Sequence, residues 1–415
     1  MLSKFFTCPT RLQELRASPA GPSLEGFAHK LWQSGYAQTT GQKHIRVAEH
    51  FIYWTDRKHI AVPALNESSV TSFEHHLHRC RCPRYSCTYP ISRQNGARLF
   101  VRYLCEAGVA THLAAGRTTT EPVLLTTFHE WMRQQRGTSN RTLYNYSAPI
   151  RDLLKSVGED PLSFDAEKLR KFVLERSQQS GWGDAKICAT GVRMFLRFLI
   201  AQGQCPTGLD GCIPAFAHWR LSSLPRYLES GDVERVIGSC NTATLLGCRD
   251  RAILLLLARM GFRAGDIVRL GLDDIDWEHA WIYVSGKGRH QTRLPLTQEV
   301  GDAIIAYLQY GRPPAATDRL FIRSCAPFRA FATNGAISVI VKGAMRRAGI
   351  TTATRGAAHI LRHSAATSML RQGASLQEIA VILRHRSIQT TEIYAKVDVA
   401  GLRAIAQPWP EVKQC

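Results

Sequence analysis

The sequence predicts a mainly α-helical protein carrying one small antiparallel β-sheet. Three observations lead there. Apolar residues recur at helical spacing along most of the 415 residues. One stretch, Trp281-Ile-Tyr-Val284 followed by Thr292-Arg-Leu-Pro-Leu296, is instead β-branched and aromatic with a turn between its halves. No apolar run approaches the roughly 20 residues that span a bilayer, the strongest being the short Ile253–Ala258.

The length allows two or three domains with their own cores. Lys plus Arg number 53 against 33 Asp plus Glu, a formal charge of +20. That balance favours a polyanionic partner, either nucleic acid or an anionic surface. The opening Met1-Leu-Ser-Lys4 lacks the layout of a signal peptide. The 12 cysteines are scattered, which suits reduced thiols better than a disulfide framework. The expectation is a cytoplasmic protein without a membrane segment.

Residues 1–118 read as a basic N-terminal helical region. Its first 25 residues are expected to be loosely ordered, with helices over 24–35, 42–57 and 68–78. Residues 119–205 read as a four-helix unit over 123–135, 141–157, 166–176 and 183–201, with Ser139 and Asp165 as caps. Arg141, Arg193 and Arg197 are assigned to its exterior. Residues 206–224, rich in Gly, Pro and Cys, read as a linker.

Residues 225–400 form the third region. Helices are expected from Ser230, over 249–260, and briefly after Phe262-Arg-Ala-Gly-Asp266. The β-hairpin follows, with Ser285-Gly-Lys-Gly-Arg-His290 as its turn and Lys287 near the tip. Further helices cover 297–310 and 336–348. Ala358-His-Ile-Leu-Arg-His-Ser-Ala-Ala-Thr367 is helical, and Gly373, Ser375 and Glu378 read as a C-terminus followed by a capping box. The next helix delivers His385 to a turn, and Tyr394 comes nine residues later. Residues 401–415 are a tail.

Between the first helices and the four-helix unit stands His75-His-Leu-His-Arg-Cys-Arg-Cys-Pro-Arg-Tyr-Ser-Cys87. Thiolates and imidazoles are the preferred ligands of zinc, which makes His78, Cys80, Cys82 and Cys87 candidates. Cys80-x-Cys82 is tighter than the usual finger spacing, however. With Arg79, Arg81 and Arg84 interleaved, the stretch reads as a contact to a DNA backbone rather than a metal centre.

The C-terminal constellation suits phosphate chemistry. His359 and Arg362 stand three apart and share a helix face. A guanidinium clamps phosphate oxygens bidentately and keeps its charge. Imidazoles donate to the same oxygens or move protons, and a tyrosine oxygen can attack phosphorus. A lone His-x-x-Arg is usually structural, so the rest of the set carries the weight.

Arg263, Lys287 on a hairpin, His359-x-x-Arg362, His385 and Tyr394, in that order, resemble the tyrosine recombinase (phage integrase) family over about 225–400. The unit at 119–205 resembles that family's core-binding domain more loosely. Two positions depart from the pattern: Arg384 stands where Gly is usual before this His, and Asp266 where Glu is commoner.

The resemblance implies a site-specific recombinase of a mobile element, built as a two-domain clamp on double-stranded DNA with an added N-terminal region. Arg263 and Arg362 would clamp the scissile phosphate, Tyr394 would form a 3′-phosphotyrosyl bond, and Lys287 would protonate the departing 5′ oxygen. His359 and His385 would bind phosphate or move protons, with Asp266 orienting an Arg and His363 ambiguous. No cofactor, neither ATP nor a divalent metal, would be required. Arg289 joins the candidate DNA contacts. Recombination implies a homo-tetramer on two DNA sites, with sister or accessory recombinases as further partners; Val399, Leu402, Ile405 and Ala406 are expected to dock on a neighbouring subunit or on their own domain. The alternatives are a topoisomerase-like relaxing enzyme and a recombinase-derived DNA-binding subunit that no longer cuts.

Overall fold

A computed structural model of the chain describes residues 1–83, 85, 95–110, 121–216, 224–285, 291–351, 356–398, 401–403 and 406–407. They form two compact units, Met1–Leu113 with Leu221–Cys415, and Ala114–Arg220. Helices dominate, with one three-stranded antiparallel sheet. Among the described residues no helix is long and apolar enough to cross a membrane.

The N-terminal helices are α1 (Pro9–Ala17), α2 (Gly21–Gln33), α3 (Gln38–Arg57), α4 (Glu67–Leu77) and α5 (Asn95–Glu106). The first 25 residues are ordered, contrary to expectation. Leu2, Phe5 and Leu15 are fully buried against Leu24, Phe27 and Phe51. Apolar side chains at the start of the chain find a core there, which outweighs the turn-forming Gly, Pro and Ser around them. Asn66 caps α4, its side chain accepting from the Ser69 N–H at 3.1 Å. Arg98 on α5 pairs with Glu67 and Glu74 at 2.7 and 3.0 Å, so it ties α5 to α4.

The second unit holds α6 (Val123–Arg136), α7 (Asn140–Val157), α8 (Ala166–Gln179) and α9 (Trp182–Ala201) around Phe128, Leu153, Leu169 and Phe195. Ser139 caps α7 through the Thr142 N–H at 3.3 Å. Asp165 stands at the N-cap of α8 but makes no capping bond. Ile213, within the expected linker, and Cys205 just before it are buried on this core.

The C-terminal region runs α10 (Ser230–Gly238), α11 (Leu245–Ala258), α12 (Ala264–Arg269), β1 (Ile275–Asp276), β2 (Trp281–Ser285), β3 (Gln291–Pro295), α13 (Gln298–Ala306), α14 (Gly335–Arg347), α15 (Ala357–Arg371) and α16 (Leu376–Ile382). β2 lies between β1 and β3, with Trp281 opposite Pro295 and Ser285 opposite Gln291. Alternation buries Ile282 and Val284 on one face. α11 is apolar on nearly every face and buried from Ala252 to Ala258, the pattern of a central helix. Ser375 and Glu378 form the expected capping box on α16. Tyr394 follows on a short 3-10 turn, Glu392–Val397.

Candidate active site

The site gathers three backbone features around the middle of α15. The first is the break after α11, where Gly261 adopts φ +60°. A Cβ there would stand 2.4 Å from Leu383, so only glycine fits. The second is the end of α16, where Arg384 turns left-handed at φ 55°. The third is the 3-10 turn bearing Tyr394.

Arg362 projects from α15 into this junction and is 4 % exposed. Its guanidinium donates to the carbonyls of Gly261 and Leu383, fixing the fork between two chain breaks. Burial, reinforced by the nearby Arg263 charge, pulls its pKa down to about 9. Arg263 precedes α12, is partly exposed, and donates to the Arg384 carbonyl at 2.8 Å. Among the described residues no carboxylate is bonded to either guanidinium, and two such groups side by side suit an anion.

Tyr394 is 1 % exposed, and its Oη lies 2.8 Å from Nδ1 of His363. Burial pushes the hydroxyl up to about 12, against the lowering influence of Arg362 and Arg263. His363 is drawn down to about 4 by burial and by His359 and Arg362. His385 falls to about 4 for the same first reason, with Arg362 and Arg263 next, and its Nδ1 sits 2.8 Å from the Thr391 hydroxyl. His359 opens α15 beside Gly356 and is solvent-exposed. Crowding by protein atoms, then Arg362 and Arg263, lowers its pKa.

Arg263, His359, Arg362, His385 and Tyr394 therefore converge as their order in the sequence suggested. Lys287 and Arg289 lie outside the described residues, in the connection between β2 and β3. His363, left ambiguous by sequence, is the residue bonded to Tyr394. Its position four after His359 put it on the right side of the helix, but the distinction between exposed and buried neighbours is set by tertiary packing. Asp266 does hold arginines, but not the two clamps. It pairs with Arg269 at 2.6 Å and with Arg384 at 2.9 Å, where Arg384 also lies over the Phe262 ring at 5.0 Å.

The candidate DNA contacts divide. Arg79, Arg81 and Arg141 are exposed, with Arg141 over the Tyr144 ring at 5.6 Å. Arg197 is half-exposed and paired with Asp210 at 2.8 Å. Arg193 is a correction: it donates to the carbonyls of Ile213 and Pro214 at 2.9 and 3.3 Å. The segment after α9 folds back over it, so this partly exposed side chain anchors chain. Arg84 lies outside the described residues. Of the metal candidates, Cys80 and Cys82 lie together, but with His50 and His76 rather than His78, which is exposed; Cys87 lies outside the described residues. Val399 and Ile405 of the tail lie outside them too, and Leu402 is exposed.

The profile of the phage integrase family matches residues 226–400. A curated protein of Sinorhizobium fredii, "Putative integrase/recombinase y4rA", is 34% identical over 406 residues, covering 95% of this chain and 97% of that one. Tyrosine recombinase XerD of Listeria monocytogenes is 28% identical over 295 residues, covering 68% of this chain and 96% of the relative. Among solved structures, a lambda integrase dimer bound to a COC′ core site superposes with a TM-score of 0.53 at 17% identity, over 70% of this chain and 98% of that one. The XerH post-cleavage complex on its difH substrate gives 0.52 at 17% identity, over 68% and 83%. With full-length similarity to an integrase/recombinase and the arginine–histidine–tyrosine cluster gathered around α15, the chain belongs to the phage integrase family of tyrosine recombinases.

Proposed function

We propose that this protein cuts and rejoins double-stranded DNA through a covalent bond to Tyr394, in the integration, excision or transposition of a mobile element. The observation that carries the reading is the pairing of Tyr394 with His363 beside two guanidiniums. Arg263 and Arg362 neutralise the non-bridging oxygens of a phosphodiester, where charge builds in the transition state. The Tyr394 oxygen attacks phosphorus, forming a 3′-phosphotyrosine and breaking the bond to the 5′ oxygen. With His363 in its Nε2–H tautomer, the tyrosine hydroxyl donates to Nδ1, which offers the leaving proton a place. The departing 5′ oxygen takes a proton, assigned by resemblance to Lys287. Reversal by a 5′ hydroxyl from another duplex exchanges strands. The phosphotyrosyl bond stores the cleaved bond's energy, so the scheme draws on neither ATP nor a divalent metal. Exchange between two duplexes calls for four protomers, and the relatives' names support a recombinase assignment over simple relaxation.

The test is covalent trapping in excess EDTA, using DNA from the gene's own flanks nicked so that the cut strand is lost. An SDS-resistant protein–DNA band, present for the native chain and absent for Tyr394→Phe, is expected. Binding without any band on tiled substrates would favour a non-cutting DNA-binding subunit instead.

A further inference from the structure

We propose that His50, His76, Cys80 and Cys82 form a structural zinc site in the N-terminal helices. Their four donor atoms, two nitrogens and two sulfurs, lie within 4.8 Å of one another. His50 comes from α3, His76 from the last turn of α4, and the cysteines from the chain just beyond. The Cys80 sulfur lies 3.5 Å from His50 Nε2, and the Cys82 sulfur 3.4 Å from His76 Nε2. A tetrahedral zinc with Zn–S of about 2.3 Å and Zn–N of about 2.0–2.1 Å has an N···S edge of about 3.5–3.6 Å. The Cys80–His50 edge matches that figure and the Cys82–His76 edge falls just short of it, although they join residues on different segments.

The surroundings fit a closed structural site. His50 is 1 % exposed and Cys80 3 %. The Tyr85 ring stacks on His50 at 4.2 Å with planes 5° apart, and Trp54 stacks against His76 at 5.8 Å. The Cys82 N–H donates to the Cys80 sulfur at 3.4 Å, the kind of second interaction that favours a thiolate ligand. Two thiolates and two imidazoles around Zn²⁺ carry no net charge, so such a centre tolerates burial. Buried Cys and His packed as ordinary core residues would not be required to bring four soft donors of the Cys₂His₂ set together. The site would staple α3 to the end of α4 and hold the turn bearing the exposed Arg79 and Arg81. It lies outside the C-terminal cluster, so it stands or falls independently of the proposed chemistry.

The experiment is metal analysis of the purified full chain, followed by chelation and refilling with Zn²⁺ or Co²⁺ alone. One zinc per chain is expected. Co²⁺ should give the intense visible bands of tetrahedral coordination with a thiolate-to-metal absorption in the near ultraviolet. Cys82→Ser and His76→Gln should lower zinc content and weaken the thiolate band, whereas Cys105→Ser, outside the cluster, should leave both unchanged. Chelation should lower the melting temperature, and Zn²⁺ should restore it. A zinc-free native chain whose melting temperature ignores chelator and Zn²⁺ would overturn the proposal. So would a Cys80–Cys82 disulfide found by mass spectrometry, or Co²⁺ bands characteristic of six-coordinate oxygen ligation. Should the variants fail to fold, the native chain's zinc content and Co²⁺ spectrum still decide.

Discussion

The Tyr394 hydroxyl lies 2.8 Å from Nδ1 of His363, and the tyrosine ring is almost wholly buried. With the hydroxyl pushed up to about 12, free phenolate is scarce near neutral pH, so attack must be coupled to proton removal. A positioned base contributes about 10²–10⁴-fold. His363→Phe, which keeps an aromatic ring but removes the basic nitrogen, should therefore slow formation of the covalent complex about 100-fold or more while DNA affinity holds. Rates on nicked substrate and binding by gel shift measure the two separately; equal trapping rates would exclude His363 from the proton path.

The same burial makes the site acid-sensitive. His363 and His385 are held down to about 4 in the folded chain, against about 6.5 when unfolded. Between those values the unfolded state binds more protons, so stability rises with pH. The contribution is fully present above about pH 6.5 and is lost as pH falls towards 4. Calorimetry from pH 7.5 to 4.5 should show a falling melting temperature. The slope should be shallower in His363→Gln and in His385→Gln, and unchanged slopes in both would contradict the assignment.

Arg384 occupies a left-handed position that favours glycine, yet its buried guanidinium pairs with Asp266 and covers Phe262. Side chain and backbone therefore pull in opposite directions. Arg384→Ala loses the ion pair and keeps the strain, whereas Arg384→Gly loses the pair and relieves about 1–2 kcal/mol of it. The glycine variant should be more stable than the alanine variant by about 1 kcal/mol in urea unfolding. Equal stabilities would mean that the turn is not strained.

Arg362 spans two carbonyls at the heart of the junction, while Arg263 makes one such bond at its edge. Arg362→Ala should cost both cleavage and stability, the latter by about 2–4 kcal/mol, because two buried carbonyls lose charged donors. Arg263→Ala should remove cleavage with a stability loss of about 1 kcal/mol. Denaturant midpoints measured beside the trapping assay separate the two roles, and similar losses of stability would refute the distinction.

Much of this was legible in residue order. Helical spacing located most helices to within a few residues, and the hairpin stood out because β-branched and aromatic residues flank Gly286-Lys-Gly288. Local capping chemistry marked Ser139 and Ser375 correctly. What escaped depends on long-range packing. His50 stands on a helix whose apolar period gives no hint of His76 beside it. Leu2 and Phe5 carry too short a pattern to announce a core. Arg384 fills a left-handed position with a side chain whose partner, Asp266, is more than a hundred residues earlier.

Arg193 and Arg141 look alike in sequence, both being basic residues on helices of the 114–220 unit, yet the structure separates them. Arg193 donates to two backbone carbonyls, while Arg141 is exposed over Tyr144. A phosphate contact releases counterions, so losing one reduces the magnitude of the slope of log affinity against log salt by about 0.9. Arg141→Ala should weaken binding across sequences and flatten that slope by about one unit, with stability nearly unchanged. Arg193→Ala should leave the slope unaltered and destabilise this unit by about 1–2 kcal/mol, through carbonyls left without a charged donor. Salt titrations of binding, run with urea unfolding of the same variants, measure both. A flattened slope for Arg193→Ala would return that residue to the DNA-contacting surface.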